Sequence, residues 1–124
     1  MIDYEQFCGI KQDDAEETID VITALELKAR LDAGESIQII DIREPHERAF
    51  AKFSNAKVMP LGQLTRRIDE FDRSRDAVFL CKAGQRSVFA ICALRKAGYT
   101  GRLLNLKGGM NAWARDVDPS LPQY

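Results

Sequence analysis

The residues best suited to nucleophilic chemistry lie in one short segment, Cys81-Lys82-Ala83-Gly84-Gln85-Arg86-Ser87. This segment joins the most apolar predicted strand to the clearest predicted helix. Cys81 therefore stands at a strand's carboxyl end and faces a helix N-terminus, where unpaired N–H groups and the helix dipole favour a thiolate. Gly84 permits torsions that turn successive amides inward as an anion-binding nest. The segment predicts a bowl of donors around one reactive sulfur.

The remaining positions of the loop support that prediction. The backbone amides of residues 82 to 86 are the expected anion donors. Arg86 adds a positive charge at the helix entrance. Ser87 is expected to be the N-cap of the helix, with its hydroxyl near the sulfur. The alternative is structural: Cys81 is then a small buried hydrophobe and Gly84 an ordinary turn residue.

A thiolate in such a bowl fits two chemistries, both with a covalent intermediate on cysteine. One is attack on phosphate or a similar oxyanion, as in a phosphatase or arsenate reductase. The other is acceptance of a sulfane sulfur, carried as a persulfide. A phosphatase also needs a general acid, for which Asp41, Glu44 and Glu47 are candidates. The sequence does not place any of them beside Cys81.

The elements that position this loop alternate between apolar runs and amphipathic stretches. Strands are predicted at residues 19–22, 37–42, 57–59, 77–81 and 102–106. Helices are predicted between the Thr23–Glu26 capping box and Gly34, over 45–50, 63–71 and 87–97, and after Gly108. This alternation predicts a three-layer α/β domain with a parallel sheet of about five strands. Sites in such sheets form at the carboxyl ends of the strands.

Composition and charge exclude several classes of protein. The 124 residues suit one domain over 19–124, preceded by a polar, acid-rich leader or linker over 1–18. A net charge of -1 argues against a nucleic-acid partner, and no apolar run is long enough for a membrane span. Three cysteines and one histidine lack metal-ligand spacing, so no metal site and no disulfide scaffold are expected. The chain has no signal-peptide pattern, which predicts a cytoplasmic protein.

Three motifs resemble those of the rhodanese-like sulfurtransferases, in order and spacing. They are Cys81-x-x-Gly84-x-Arg86-Ser87, Asp41-Ile42-Arg43-Glu44-Pro45-x-Glu47 and Asn105-Leu106-x-Gly108-Gly109-Met110-x-Ala112-Trp113. The resemblance implies that Cys81 is the catalytic residue and carries a persulfide, with no metal or organic cofactor. It implies that Asp41 and Arg43 brace the fold near the loop, and it makes Arg43 a candidate for a group that faces the substrate. The six-residue span from Cys81 to Arg86 favours sulfur over phosphate, because the related phosphatase loops are one residue longer.

One segment departs from the family pattern. Members commonly have Gly-His-Ile-Pro-Gly-Ala where this chain has Ala51-Lys52-Phe53-Ser54-Asn55-Ala56, so only the last alanine matches. The segment is mostly architectural in the family. The departure therefore concerns the local loop geometry, and it leaves the chemistry of Cys81 unaffected.

The two ends of the chain resemble fusions in which a rhodanese domain follows an adenylating domain. The motifs are Asp3-Tyr4-Glu5-x-Phe7-Cys8-Gly9 and Asp118-Pro119-x-x-Pro122-Gln123-Tyr124. Such fusions serve molybdopterin, thiamine or thiolated-tRNA pathways, although their loop often reads Cys-x-x-Gly-Asn-Asp-Ser. The resemblance implies a donor such as thiosulfate or a protein persulfide. The acceptor it implies is a ubiquitin-like sulfur carrier. A non-catalytic docking module remains the second alternative, beside the phosphatase.

Overall fold

The computed structural model describes residues 19–49, 51–53 and 55–123, built around a parallel sheet. The strands are β1 (Val21–Ile22), β2 (Gln38–Asp41), β3 (Lys57–Val58), β4 (Ala77–Leu80) and β5 (Leu103–Leu106). The helices are α1 (Ala24–Asp32), α2 (Pro45–Arg48), α3 (Gln85–Lys96) and α4 (Gly109–Asp116), with 3₁₀ helices at Leu61–Gln63 and Thr65–Glu70. The predicted α/β class and five-stranded parallel sheet are confirmed.

The strand order is β1-β5-β4-β2-β3, which places β4 at the centre of the sheet. All four residues of β4 are buried, as expected for a parallel strand covered on both faces. Asp41 at the end of β2 pairs with Leu80 at the end of β4. The segments that leave these two strands therefore start side by side at the carboxyl edge of the sheet.

Alternate strand residues supply two separate hydrophobic cores, one on each face of the sheet. Val78 and Leu80 point to the face that α1 and α4 cover, where Phe53 packs against Trp113 with 4.5 Å between ring centroids. Phe79 points to the opposite face, which α3 and the 3₁₀ segment cover. This period-two alternation produces the three layers.

Local sequence signals account for several helix ends. Thr23 and Glu26 form the predicted capping box at α1 through reciprocal hydrogen bonds of 3.1 Å. Gly98 adopts a φ of +89° directly after the C-cap of α3, as expected of a terminating glycine. No helix within the described residues is both long and apolar enough to cross a membrane.

Three helix predictions need correction. The stretch 63–71 forms 3₁₀ turns in place of an α-helix, because Arg67 leaves helical torsions and its guanidinium binds Glu70 and the Val58 carbonyl. α2 ends at Arg48, before the predicted end at Phe50, which lies outside the described residues. α3 begins at Gln85, two residues before the predicted start at Ser87. The leader over 1–18 also lies outside the described residues.

Candidate active site

Cys81 follows the last residue of β4 directly, and its side chain is only 1% exposed. The backbone then turns through Gly84, the N-cap of α3, whose φ of +91° is in the left-handed region. The Gly84 amide donates a hydrogen bond to Cys81 Sγ at 3.1 Å. This contact stabilises negative charge on the sulfur at the positive end of a twelve-residue helix.

A side chain at Gly84 would meet two obstacles. Its torsion disfavours a β-carbon, and the ideal position of that atom lies 3.2 Å from the Gly108 amide and 3.3 Å from the Leu106 carbonyl oxygen. The loop thus packs its backbone directly on the turn that leads into α4. Glycine at position 84 serves both the turn and this close approach.

The carbonyl groups of the loop are held from outside, by groups on β5 and α4. Met110 N–H donates to the Cys81 carbonyl at 2.8 Å, and Asn111 N–H donates to the Lys82 carbonyl at 3.1 Å. The Asn105 side-chain amide donates to the Gly84 carbonyl at 3.1 Å. Because these carbonyls are fixed on the far side of the loop, the peptide groups keep their orientation around the sulfur. The first turn of α4 thereby acts as a clamp on the loop.

Arg86 is bound by Glu47 from the short helix α2. Its two terminal nitrogens donate to the two carboxylate oxygens at 2.5 Å each, in a bidentate pair. The Glu47 carboxylate also accepts from the Glu44 amide at 3.3 Å, and its side chain is only 10% exposed. The pair ties α2 to the N-terminus of α3.

Asp41 and Arg43 form a second, fully buried ion pair. The Arg43 guanidinium donates to both Asp41 oxygens, at 3.0 and 2.8 Å, and to the Ala51 carbonyl at 2.7 Å. Arg43 is 0% exposed, and its guanidinium links the end of β2 to the Ala51 carbonyl. Two of the three candidate general acids, Asp41 and Glu47, are therefore bound to guanidinium groups, and the third, Glu44, is exposed.

The structure places the other predicted loop residues as follows. Lys82, Ala83 and Gln85 are exposed on the loop. Ser87 is 0% exposed, and its hydroxyl finds no hydrogen-bond partner among the described residues. The expectation that Ser87 caps the helix and reaches the sulfur is wrong, because Gly84 is the N-cap. His46 is exposed on α2.

Sequence reasoning from the loop alone missed two contributors to the site. Asn105 is a buried amide within an otherwise apolar strand, and that polar exception was the available signal. Glu47 is a buried acid in a short helix, and no local pattern connects it with Arg86. Both act over long sequence separations, which residue spacing does not encode.

The comparisons with known proteins agree with this geometry. A profile of the rhodanese-like domain family matches residues 23–116. The probable adenylyltransferase/sulfurtransferase MoeZ of Mycobacterium tuberculosis is 35% identical over all of this chain, which spans 32% of that protein. A sulfurtransferase of Allochromatium vinosum is 38% identical over 78% of this chain and 90% of its own length.

A solved structure supports the same assignment. The thiosulfate sulfurtransferase of Pseudomonas aeruginosa superposes with a TM-score of 0.74 and 25% identity, over 82% of this chain and 20% of that one. The fold and the cysteine loop define a rhodanese-type sulfurtransferase. The chain belongs to the rhodanese-like domain family. It spans about a third of the length of MoeZ.

Proposed function

We propose that Cys81 accepts a sulfane sulfur, holds it as a persulfide and passes it to an acceptor. The observation that carries this proposal is the Gly84 amide, 3.1 Å from Sγ, in a loop whose carbonyls are fixed from outside. Amides around the loop suit the charge of a terminal sulfur one bond beyond Sγ. The backbone of residues 82 to 86 is the proposed donor set.

The loading step conserves atoms and charge. The Cys81 thiolate attacks the outer sulfur of a donor, forming one S–S bond while the donor's bond to that sulfur breaks. The donor leaves as sulfite when it is thiosulfate, or as a thiolate when it is a protein persulfide. No oxidant or reductant is consumed. Burial of Cys81 supports the proposal, because it keeps bulk water from the sulfur.

Intact mass tests the loading step. Reduced protein is incubated with thiosulfate or with a persulfide-bearing protein, beside a Cys81→Ser variant and a Cys8→Ser variant. We expect a gain of one sulfur in the wild-type and Cys8→Ser proteins, reversed by cyanide, and none in Cys81→Ser. A folded protein that gains no sulfur from either donor would favour the docking module.

We further propose that a ubiquitin-like sulfur carrier is the acceptor, through its adenylated C-terminal carboxylate. The similarity of the whole chain to part of MoeZ supports this, as do the two end motifs. The terminal persulfide sulfur would displace AMP and form an acyl disulfide. A thiol reductant would then release the carrier thiocarboxylate and the Cys81 thiol, and would itself be oxidised to a disulfide.

A labelled-sulfur experiment tests this acceptor. Protein loaded with radioactive sulfur is mixed with an adenylated carrier and a thiol, and the carrier is analysed by mass. The expected product has one carboxylate oxygen replaced by labelled sulfur. Label that transfers equally to a carrier without adenylation would contradict the proposed acceptor chemistry.

The phosphatase alternative has two of its three candidate proton donors engaged elsewhere. Glu47 and Asp41 each accept hydrogen bonds from an arginine through both carboxylate oxygens, whereas Glu44 is exposed. Steady hydrolysis of an aryl phosphate, lost in Cys81→Ser, is the result that would favour that alternative.

A further inference from the structure

The bidentate pair between Arg86 and Glu47 bears on which donors the site accepts. Arg86 lies two residues beyond Gly84, the residue that contacts the sulfur. Its guanidinium is the expected partner for an anionic donor, yet both terminal nitrogens donate to a carboxylate. The pair has no net charge, because the Glu47 carboxylate cancels the positive charge of Arg86.

The Glu47 side chain is held in place by its own helix. Its carboxylate accepts from the Glu44 amide within the first turn of α2, where Pro45 fixes the start of the helix. The side chain is 10% exposed, against 29% for Arg86. The carboxylate is thus the more buried partner, and it is held to its own helix while it binds the guanidinium.

Donors differ in the charge they bring beside the Cys81 thiolate. Thiosulfate adds two negative charges, whereas the persulfide of a thiol adds one. Amide dipoles suit the single charge of a terminal sulfur. A second negative charge needs a cation with an uncompensated charge, and the Glu47 carboxylate opposes it.

We propose that Glu47 is a specificity-determining positioning residue, which holds Arg86 so that the site prefers monoanionic persulfide donors over dianionic thiosulfate. This inference rests on the proposed sulfur transfer to Cys81 and identifies the class of donor. Both donors follow the same balanced step, in which the thiolate forms one S–S bond and the donor loses one. They differ only in the charge of the leaving group, sulfite or a thiolate.

Glu47→Gln tests the inference, because it keeps the shape of the carboxylate and removes its charge. Transfer to cyanide is measured with thiosulfate, a dianion, and with benzenethiosulfonate, a monoanion. We expect the ratio of kcat/KM for thiosulfate to that for benzenethiosulfonate to rise about fivefold or more, mainly through a lower KM for thiosulfate. An unchanged ratio, or equal losses with both donors, would overturn the specificity role.

Two further variants separate local charge from general effects. Glu44→Gln removes the same formal charge from the exposed N-cap residue that precedes α2, and it should leave the ratio unchanged. The double variant Glu47→Gln/Arg86→Gln restores zero net charge to the pair, and it should return the ratio close to that of the wild type. A double variant that keeps the raised ratio would contradict the inference. The same double variant provides the test if Glu47→Gln alone folds poorly.

A binding measurement distinguishes failure of this inference from failure of the proposed function. In a Cys81→Ser background no sulfur is transferred, and calorimetry reports the affinity for thiosulfate directly. Adding Glu47→Gln should lower the Kd for thiosulfate about fivefold or more, with little change for benzenethiosulfonate. Equal affinities with and without Glu47→Gln would overturn the inference, whatever the wild-type protein does in turnover.

Discussion

Gly109 packs its α-carbon against the carbonyl of Cys81. A β-carbon at Gly109 would overlap that oxygen and lie 2.7 Å from both the carbonyl carbon and the oxygen of Lys82. The residue also has a φ of +57°, where a side chain is strained. The clamp that α4 places on the loop therefore depends on the absence of one methyl group.

Gly109→Ala is expected to displace the cysteine loop and to reduce sulfur transfer about tenfold or more, because small misplacements of reacting groups are costly. The assay is thiocyanate formation, with intact mass to follow loading. Gly34→Ala is the matched control, since Gly34 also has a positive φ, of +81°, but a β-carbon there meets nothing within 4 Å. Equal activities in the two variants would show that the clamp does not matter.

Asn105→Asp is expected to lower transfer about tenfold, because removal of one positioned donor commonly costs that much or more. Asparagine donates to the Gly84 carbonyl, whereas an ionised aspartate would repel it at the same distance. Asn105→Ala removes the donor without adding charge and should lose less activity. Single-turnover loading measured by mass checks both. If the Asn105→Asp variant loads sulfur as fast as the wild-type protein, the hydrogen bond from Asn105 does not orient the loop.

Asp41→Asn is expected to lower the free energy of unfolding by about 3 kcal/mol, because the fully buried Arg43 loses its compensating charge. Urea unfolding measures the change. The control is Asp32→Asn, which breaks the exposed Lys28–Asp32 pair and should cost less than about 1 kcal/mol. Similar losses for the two variants would contradict the bracing role of the buried pair.

Asn55→Ala is expected to destabilise the fold by about 1 kcal/mol, since alanine disfavours the left-handed region. Asn55 has a φ of +63°, and it stands where the family pattern has glycine. Asn55→Gly should therefore remain close to wild type in chemical denaturation. Should alanine and glycine behave alike, the backbone torsion would not explain the choice of residue.

Tyr99→Phe is expected to be neutral or slightly stabilising at pH 7, because the buried hydroxyl has no hydrogen-bond partner among the described residues. Burial raises the pKa of Tyr99. The neutral phenol thus contributes full stability below the ordinary tyrosine pKa, near 10, and loses it as pH rises through the folded value. In thermal melts from pH 8 upward, the Tm of the Tyr99→Phe variant should rise relative to that of the wild-type protein. A constant difference across that range would refute this account.

Local sequence patterns predicted most of the fold and part of the site. Strand β4, the capping box at Thr23 and the terminating Gly98 follow from periodicity and turn chemistry, which neighbouring residues determine. Local patterns did not predict the 3₁₀ turns around Arg67, because Arg67 contacts the carbonyl of Val58 in strand β3. For the same reason the Arg86–Glu47 pair, 39 residues apart, had no signature in the loop motif.

The near-complete burial of Cys81 has a consequence for the lifetime of the persulfide proposed on it. A sulfur attached to a side chain that is 1% exposed would be shielded from stray thiols and oxidants, which attack exposed thiolates and persulfides most readily. Shielding also restricts delivery, because a broad protein surface does not reach a recessed atom. A slender group, such as a small ion or the free end of a polypeptide, is better suited to approach such a sulfur. Burial of Cys81 would therefore both slow the non-specific loss of the sulfur and restrict the acceptors to which it is transferred.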